Sequence, residues 1–338
     1  MKDYEIIYNL ITNNNIQQAI EKLNDKNNGL SEIDYIYLYI LLLLQINQFE
    51  EAEKTLNNVL SSSNDERLIK LKYFLQTIEN TPKINSANLR LLNLGCGQTY
   101  HKEWINIDIS SHSEYVLAHD LTKEIPFNDN IFDVVYHSHI LEHFPKNYAH
   151  KFIKECYRVL KPGGIIRVVV PDLEGIVKEY ILNLEQALSG DPIAQEKYNW
   201  IMLELYDQTV RNQSGGEMLH YLVQDNLIIK DYIISRIGAE AINIINNKDS
   251  INKNLQFRKN DTELSAEEIG NFRKSGEIHQ WMYDRYSLNK LLKECGFHEI
   301  QIKKYNESLI PDFNLYCLDI TPEGLQRKPD SLYIEAIK

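Results

Sequence analysis

Short apolar runs, separated by polar segments, mark the middle of the chain. They lie at 91–94, 104–107, 115–120, 132–136 and 165–170. Runs of this kind are typical of strands that are buried on both faces of a parallel sheet. The pattern therefore predicts a parallel sheet and an α/β fold.

Apolar residues at helical spacing follow the fourth run and return near the end of the sequence. They predict a helix over 140–160 that stops at Lys-Pro-Gly-Gly (161–164), and another over 287–295. Strands are predicted at 297–304 and 331–338, which complete a seven-stranded sheet. Strands that alternate with helices imply right-handed crossovers and helices on both faces of the sheet.

Residues 173–276 break this alternation. Helices are predicted at 175–188, 192–209, 227–246 and 266–274, with polar loops between them, such as 211–216 and 247–261. The segment is too long to be a loop within a compact domain. We therefore predict a helical insert.

Residues 1–80 are predicted to form helical hairpins. The segment 16–23 (Ile-Gln-Gln-Ala-Ile-Glu-Lys-Leu) is echoed 33 residues later by 49–56 (Phe-Glu-Glu-Ala-Glu-Lys-Thr-Leu). This spacing is close to the period of about 34 residues of tetratricopeptide (TPR) repeats. Because two copies rarely stand alone, we expect the region to pack on the rest of the chain, either as a shielding cap or as a docking site for a partner protein. Polar residues 81–89 are the predicted linker.

Charge and composition narrow the function classes. The formal net charge of −12 disfavours wide contact with a nucleic-acid backbone. The four cysteines have no metal-binding spacing, so we expect reduced thiols in a cytoplasmic protein. We find no signal-peptide core, and the most apolar run, 35–46, is too short to span a bilayer. We therefore expect no membrane and no nucleic acid among the partners.

Candidate binding residues follow the first two predicted strands. Gly95 and Gly97 come directly after the first strand, and glycine lets a ligand lie against the backbone. Asp108 ends the second strand, where an acidic side chain can accept hydrogen bonds from both hydroxyls of a ribose. Gly-x-Gly also occurs in turns that bind nothing, but the acidic strand end favours a nucleotide site.

The order of these segments resembles that of the class I S-adenosylmethionine-dependent methyltransferases. The residues that carry the resemblance are Leu-Asn-Leu-Gly-Cys-Gly (92–97), Ile-Asp-Ile (107–109), His-Asp-Leu (119–121), Phe-Asp-Val-Val-Tyr-His-Ser-His-Ile-Leu-Glu-His-Phe (132–144) and Arg-Val-Leu-Lys-Pro-Gly-Gly (158–164). Within this class, the chain is similar to the methyltransferase type 11-like subgroup with a Leu-Glu-His motif, which is often linked to sugars and cell-surface polysaccharides. The resemblance implies a Rossmann-like, doubly wound catalytic core at 90–172 and 277–338, with the insert as the acceptor-binding part.

The resemblance also implies a cofactor site at the ends of the strands. The residues expected around the methionine and the ribose of S-adenosylmethionine are Gly95, Cys96, Gly97, Ser138 and Asp108. Those expected around the adenine are Ile109, Asp120 and Leu121. Among them, Asp108 would bind the ribose hydroxyls and Asp120 would accept from the adenine amino group.

The sequence departs from the family pattern after Gly97. The usual third glycine is absent, since Gln98 and Thr99 follow, and only six residues separate Gly97 from Trp104. The first helix is therefore predicted to be vestigial, which weakens the helix-dipole contribution at this site. The amino and carboxylate groups of the methionine would need other partners, from the N-terminal region or the insert.

Methyl transfer to an oxygen or to a protonated nitrogen needs a base, and histidine is the most suitable residue. His139, just past the fourth strand, is the first candidate, and His279, after the insert, is the second. His143 of the Leu-Glu-His motif is expected to be structural. Asp172 and Asp284 are alternatives, because strand ends face the site in this architecture.

A metal site is a further hypothesis for the histidine-rich segment. His137, His139, Glu142 and His143 have side chains that could serve as ligands. However, the first two flank a strand end instead of sharing one helix face, and the family chemistry needs no metal. We therefore expect no metal ion.

Aromatic residues of the insert could stack on a sugar or an aromatic acceptor, or could simply pack between helices. They are Tyr198, Trp200, Tyr206, Tyr221 and Tyr232. Packing is the commoner role.

The sequence thus predicts an enzyme that O-methylates a small molecule or saccharide and releases S-adenosylhomocysteine. One alternative is an N-methyltransferase that acts on a small molecule or a protein. Another is a non-catalytic module that binds the cofactor or docks a partner. The Asp/Asn-Pro-Pro-Tyr/Phe motif of nucleic-acid amino methylation is absent after the fourth strand, where the chain reads Tyr-His-Ser-His (136–139).

Overall fold

The structure is a computed structural model of the chain. It describes residues 2–12, 16–25, 28–45, 48–69, 71–72, 89–111, 113, 115–255 and 264–338. All of the predicted linker at 81–89 except its last residue lies outside these ranges, as does part of the predicted loop at 247–261.

The N-terminal region is helical where it is described. Its helices are α1 (Lys2–Thr12), α2 (Ile16–Leu23), α3 (Glu32–Gln45) and α4 (Phe49–Leu60). Ala19 of α2 and Ala52 of α4 are both buried in a cluster that also contains Ile320. The Tyr37 hydroxyl donates a hydrogen bond to Glu323 at 3.2 Å. The region therefore packs on the rest of the chain, as expected, while its tetratricopeptide character stays a prediction.

A seven-stranded mixed sheet forms the centre of the described chain. Its strands are β1 (Leu91–Leu94), β2 (Ile105–Asp108), β3 (Val116–Ala118), β4 (Phe132–Ser138), β5 (Leu160–Pro171), β6 (His298–Lys303) and β7 (Ser331–Ile337). The spatial order is β3-β2-β1-β4-β5-β7-β6, which confirms the predicted Rossmann-like architecture.

One strand differs from the predicted parallel arrangement. β7 is antiparallel to both β5 and β6, whereas the other pairs are parallel. A parallel return requires a crossover, usually a helix. The connection between β6 and β7 has only the short 3₁₀ turn Phe313–Tyr316, so β7 enters the sheet from the opposite end.

The helix predicted at 140–160 begins six residues later than predicted and ends at Val159, within one residue of the predicted end. A 3₁₀ turn at Leu141–His143 comes first, and α5 (Lys146–Val159) begins only after Pro145. Proline disfavours helical geometry in the residue before it, which ends the turn. At the other end, Lys-Pro-Gly-Gly lies within β5 instead of capping the helix, because Leu160 is already extended and pairs with Phe132 of β4.

The insert is helical as predicted, with different boundaries. The helices from here to the end of the chain are α6 (Leu173–Leu188), α7 (Pro192–Val210), α8 (Gly216–Leu222), α9 (Lys230–Ile237), α10 (Ala239–Asn246), α11 (Lys248–Leu255), α12 (Ala266–Lys274) and α13 (Arg285–Glu294). The helix predicted at 227–246 is divided at Gly238, which has a φ of 61° and whose missing side chain leaves room for the Arg327 carbonyl. The short helix α8 was not predicted, and α11 replaces part of a predicted loop.

Candidate functional site

The turn after β1 is fixed to the end of β2. Gly95 has a φ of 62°, and a Cβ at this position would overlap the Ile140 side chain, so glycine is required. The Gly97 N–H donates to Oδ2 of Asp108 at 2.8 Å, and the Ile109 N–H donates to Oδ1 at 2.8 Å. Each carboxylate oxygen keeps acceptor capacity for a ligand.

A cavity of about 320 Å³ opens above this turn, within the usual size range of small-molecule sites. Of the predicted cofactor residues, those that line it are Gly95, Cys96, Gly97, Asp108 and Ser138. We call it the cofactor cavity. A Cβ on Gly97 would meet no atom within 4 Å, so the backbone is open to a ligand there.

The three residues predicted for the adenine lie outside the cofactor cavity. Ile109 is 69% exposed. Asp120 accepts a hydrogen bond from the Thr122 N–H at 2.9 Å, which forms a local turn, and Leu121 packs against the sheet core. Their role in binding adenine stays a prediction.

The opposite wall was not predicted. It comes largely from the connection between β6 and β7, through Leu318, Asp319, Arg327 and Lys328. This connection has neither regular apolar spacing nor a recognisable motif. The one available signal was Asp319, which is the single charged residue in Leu-Tyr-Cys-Leu-Asp-Ile (315–320).

A buried ionic network anchors this connection to the sheet. Arg167 of β5 is fully buried and contacts Asp319 at 2.6 Å and Glu335 at 2.7 Å. The Tyr136 hydroxyl donates to the other oxygen of Asp319 at 2.7 Å. The remaining donors of Arg167 reach backbone carbonyls of the connection, including that of Glu307. The ionic network therefore fixes this wall of the cofactor cavity to the sheet at several points.

The predicted vestigial helix is confirmed. All residues between β1 and β2 are described, and no helix forms there. The cavity instead has Arg327 and Lys328 in its wall, together with the carboxylate of Asp108 and the open backbone at Gly97. This set fits S-adenosylmethionine, which has ribose hydroxyls at one position and a carboxylate at another.

A second, smaller cavity of about 120 Å³ lies between the insert and the sheet. We call it the acceptor cavity, after the role that we propose for it. Its lining includes Met218, Leu219, Leu222, Ile237 and Ile244 on the apolar side, and Gln208, Arg211, Glu240 and Asp330 on the polar side. His139 and Lys328 line both cavities. These two residues mark the point where the cavities meet.

His139 is held in an unusual backbone geometry, with a φ of 55°. Its Nε2 lies 2.8 Å from the Ser331 hydroxyl, and its Nδ1 lies 3.5 Å from Oε1 of Glu142. Burial lowers the pKa of His139 well below its usual range, and the nearby positive charge of Lys328 lowers it further. The imidazole is therefore neutral at pH 7 and has a lone pair on one nitrogen.

His279 lines neither cavity. It is buried, its ring packs edge-on against His143 with centroids 4.8 Å apart, and burial lowers its pKa to about 2. His143 itself approaches the Ile278 carbonyl with Nδ1 at 3.2 Å, so it is braced by the segment before α13. The structure thus brings the second candidate base next to the Leu-Glu-His motif and not into either cavity.

The carboxylates considered as alternative bases cap helices. Asp172 accepts from the Glu174 N–H at the start of α6, and Asp284 accepts from the Tyr286 and Ser287 N–H groups at the start of α13. Neither lines the cofactor or the acceptor cavity. Their geometry is accounted for by capping.

Four of the five aromatic residues singled out in the insert pack against the protein, and Tyr206 is 56% exposed. Trp200 is fully buried against Tyr221, with ring centroids 5.5 Å apart, and the Tyr232 hydroxyl bonds Glu179 at 2.9 Å. Tyr198 packs on Tyr180. None of the five lines either cavity, so the insert offers no aromatic platform to an acceptor there.

Comparison with known proteins places a family match on the same strands. Residues 92–168 match the model of a family described as a methyltransferase domain. No curated protein matches the chain. Within the described residues, no helix is both long and apolar enough to cross a membrane.

Several solved structures align with low similarity. An S-adenosylmethionine-dependent methyltransferase from Archaeoglobus fulgidus is 15% identical, with a TM-score of 0.32. The alignment covers 80% of this chain and 93% of that chain. One from Mesorhizobium loti is 14% identical, with a TM-score of 0.31 and coverages of 78% and 97%. The 1,6-didemethyltoxoflavin-N1-methyltransferase from Burkholderia thailandensis, with bound S-adenosylhomocysteine, is 9% identical, with a TM-score of 0.31 and coverages of 89% and 88%. Likenesses this low give no information on the substrate.

Proposed function

We propose that this S-adenosylmethionine-dependent methyltransferase transfers the methyl group to a polar small molecule or saccharide bound in the acceptor cavity. The observation that carries the proposal is that His139 and Lys328 line both cavities. In-line transfer requires donor and acceptor to meet at one point, and holding them there supplies much of the acceleration.

Three groups would hold the cofactor. Asp108, already positioned by the Gly97 and Ile109 N–H groups, would accept from the ribose hydroxyls. Lys328 and Arg327 would bind the methionine carboxylate, in place of the absent first helix. Arg327 is itself positioned, because its Nε donates to the carbonyls of Cys317 and Ile320, each at 2.9 Å. Bound S-adenosylmethionine supplies an electrophilic methyl group on a sulfonium.

His139 would accept the proton that the acceptor loses. It would do so through Nε2, in the tautomer that carries its proton on Nδ1 and leaves the Nε2 lone pair for the acceptor. The Ser331 hydroxyl holds Nε2 in place at 2.8 Å until the acceptor binds. General-base catalysis of this kind contributes about 10²–10⁴-fold.

The lining of the acceptor cavity suits a small molecule with several polar groups. Glu240 and Asp330 would accept hydrogen bonds from hydroxyl or amino groups, and Arg211 would donate. A saccharide would have to be recognised without aromatic stacking, since no aromatic residue of the insert lines the cavity. We favour O-methylation in sugar, polysaccharide or natural-product biosynthesis, and N-methylation of a small molecule is the alternative.

The test is transfer of labelled methyl from S-adenosylmethionine to panels of sugars, nucleotide sugars and small amines. Leu222→Trp fills the acceptor cavity and is expected to abolish transfer without changing the affinity for S-adenosylhomocysteine. Leu188→Trp, at a residue that is 80% exposed, is the control. Unchanged transfer by Leu222→Trp would show that the acceptor binds elsewhere. Transfer only to amines would replace O-methylation by the alternative.

A further inference from the structure

A buried carboxylate without hydrogen-bond partners lies in the 3₁₀ turn Leu141–His143. Glu142 is fully buried, and neither of its oxygens accepts a hydrogen bond from a described residue. A buried polar group left without a partner costs about 1–3 kcal/mol, and more if it is charged. Native structures therefore rarely keep one unless an ion or water completes the site.

Two imidazoles face this carboxylate. A ligand atom from each of Glu142, His143 and His279 lies within 4.8 Å of those of the other two. The backbone fixes the arrangement, because the Gln280 and Trp281 N–H groups donate to the Glu142 carbonyl at 2.7 and 3.2 Å. The Gln280 side chain also donates to the His143 carbonyl at 2.8 Å. The ligand atoms are thus held together across two distant parts of the sequence.

We propose that Glu142, His143 and His279 bind a divalent transition-metal ion, with Zn²⁺ as the expected occupant. Two imidazoles and one carboxylate are a common set for this ion and leave a fourth position open. The contact of His143 Nδ1 with the Ile278 carbonyl directs Nε2 to the metal, which is the usual outer support of a histidine ligand.

The charges around the three ligands are mixed, since the positive charge of Lys328 acts on all of them and the negative charge of Asp330 acts on Glu142. The positive charge of Arg211 acts on both histidines, and Arg211 is itself paired with Asp207 at 2.9 Å and Glu277 at 3.7 Å. His139 approaches only Oε1 of Glu142, so Oε2 remains available. The bound ion would fasten the turn after β4 to the segment that follows the insert, and so fix the position of the insert over the site.

This site differs from the sequence hypothesis and departs from the expectation of no metal. His137 is not part of it, because its ring packs on Phe152 at 5.2 Å. His279 takes its place in the proposed ligand set. Because His279 is far from Glu142 in the sequence, the spacing of ligand residues alone does not reveal that the two meet.

Titration of chelator-treated protein with Co²⁺ and Zn²⁺, in the absence of S-adenosylmethionine, tests the proposal. We expect one equivalent of Co²⁺ with a visible absorption spectrum, displacement by Zn²⁺, and a higher Tm with Zn²⁺. Glu142→Gln and His279→Asn should each weaken Zn²⁺ binding at least tenfold. His220→Asn, which removes an exposed imidazole paired with Glu217, should leave the affinity unchanged.

Two results would overturn the metal site. One is the absence of stoichiometric Co²⁺ binding by the unmodified protein. The other is an unaltered Zn²⁺ affinity in His279→Asn. This second variant keeps the proposal testable if Glu142→Gln does not fold. Because no cofactor or acceptor is present in the titration, its outcome is independent of the proposed methyl transfer.

Discussion

The Gly97 N–H donates a 2.8 Å hydrogen bond to Oδ2 of Asp108, and this bond joins the turn after β1 to the end of β2. A ligand that lies over the open face of Gly97 is therefore within reach of a carboxylate whose orientation is already set. Preorganisation of this kind reduces the entropic cost of binding.

Replacement of Asp108 by alanine should weaken S-adenosylhomocysteine binding by at least tenfold. Hydrogen bonds to a charged acceptor are worth about 1.5–3 kcal/mol each, and two would be lost. Isothermal titration calorimetry measures the change. Asp225→Ala, at a side chain that is 93% exposed, controls for loss of charge. Equal affinities in Asp108→Ala and the unmodified protein would refute the ribose assignment.

Lys328→Met should weaken binding of S-adenosylhomocysteine but not of 5′-methylthioadenosine. The second ligand lacks the amino-acid carboxylate that Lys328 is proposed to bind, so the comparison isolates this one contact. Both affinities can be measured by calorimetry on the same protein. A similar loss for the two ligands would mean that Lys328 supports the cavity in general and does not recognise the carboxylate.

His139→Asn should lower the single-turnover rate of methyl transfer by about 10²–10⁴-fold, because the base is removed. Asparagine is the chosen replacement because it tolerates the positive φ of 55° at this position. The affinity for S-adenosylhomocysteine should stay within a few fold, and His298→Asn on β6 is the control. An unaltered rate would remove His139 from the mechanism.

Asp330 should make the protein less stable as the pH rises from about 4 to 7. Burial, reinforced by the negative charge of Glu204, raises the pKa of Asp330 to about 7, compared with about 3.9 in an unfolded chain. The folded state therefore retains a proton that the unfolded state has lost. This lowers the free energy of unfolding by up to about 1.4 kcal/mol per pH unit in that interval, with no further loss above it.

Asp330→Asn should remove this contribution. Urea unfolding at pH 5 and pH 8 measures it, as the difference between the variant and the unmodified protein. If the two proteins lost equal stability over this interval, Asp330 would not titrate as described.

Arg167→Met should destabilise the fold by about 3–5 kcal/mol, because it leaves the carboxylates of Asp319 and Glu335 buried without their counter-ion. Arg285→Met breaks an ion pair whose arginine is 64% exposed, and such pairs are worth about 0–1 kcal/mol. Chemical denaturation compares the two variants. A loss for Arg167→Met no larger than the control would contradict the anchoring role.

The strands were predictable because each buried strand corresponds to a short run of apolar residues in the sequence. β1 and β4 read as such runs, and Asp108 was found because an acid at the end of a parallel strand must face the ligand edge. The geometry of the turns was harder to predict from the sequence. Neither the 3₁₀ turn at Leu141–His143 nor the extension of β5 back to Leu160 follows from apolar spacing, since both depend on pairing and on Pro145.

Contacts between distant segments could not be predicted at all. Lys328 reaches the cofactor cavity through an irregular connection whose path is set by the buried pairing of Arg167 with Asp319. His279 meets Glu142 only because the chain returns to the sheet after the insert. Both depend on tertiary packing of segments far apart in sequence, for which a single chain offers no periodic signal.

The contact of the N-terminal helices with the β6–β7 connection also has a thermodynamic consequence. Tyr37 bonds Glu323, and Ile320 lies in the helical cluster, while Arg327 and Lys328 of the same connection line the cofactor cavity. A binder of the helices that shifts this contact is expected to change the cofactor affinity by some factor. The cofactor must then alter the affinity of that binder by the same factor, so the affinity at each surface would depend on whether the other is occupied.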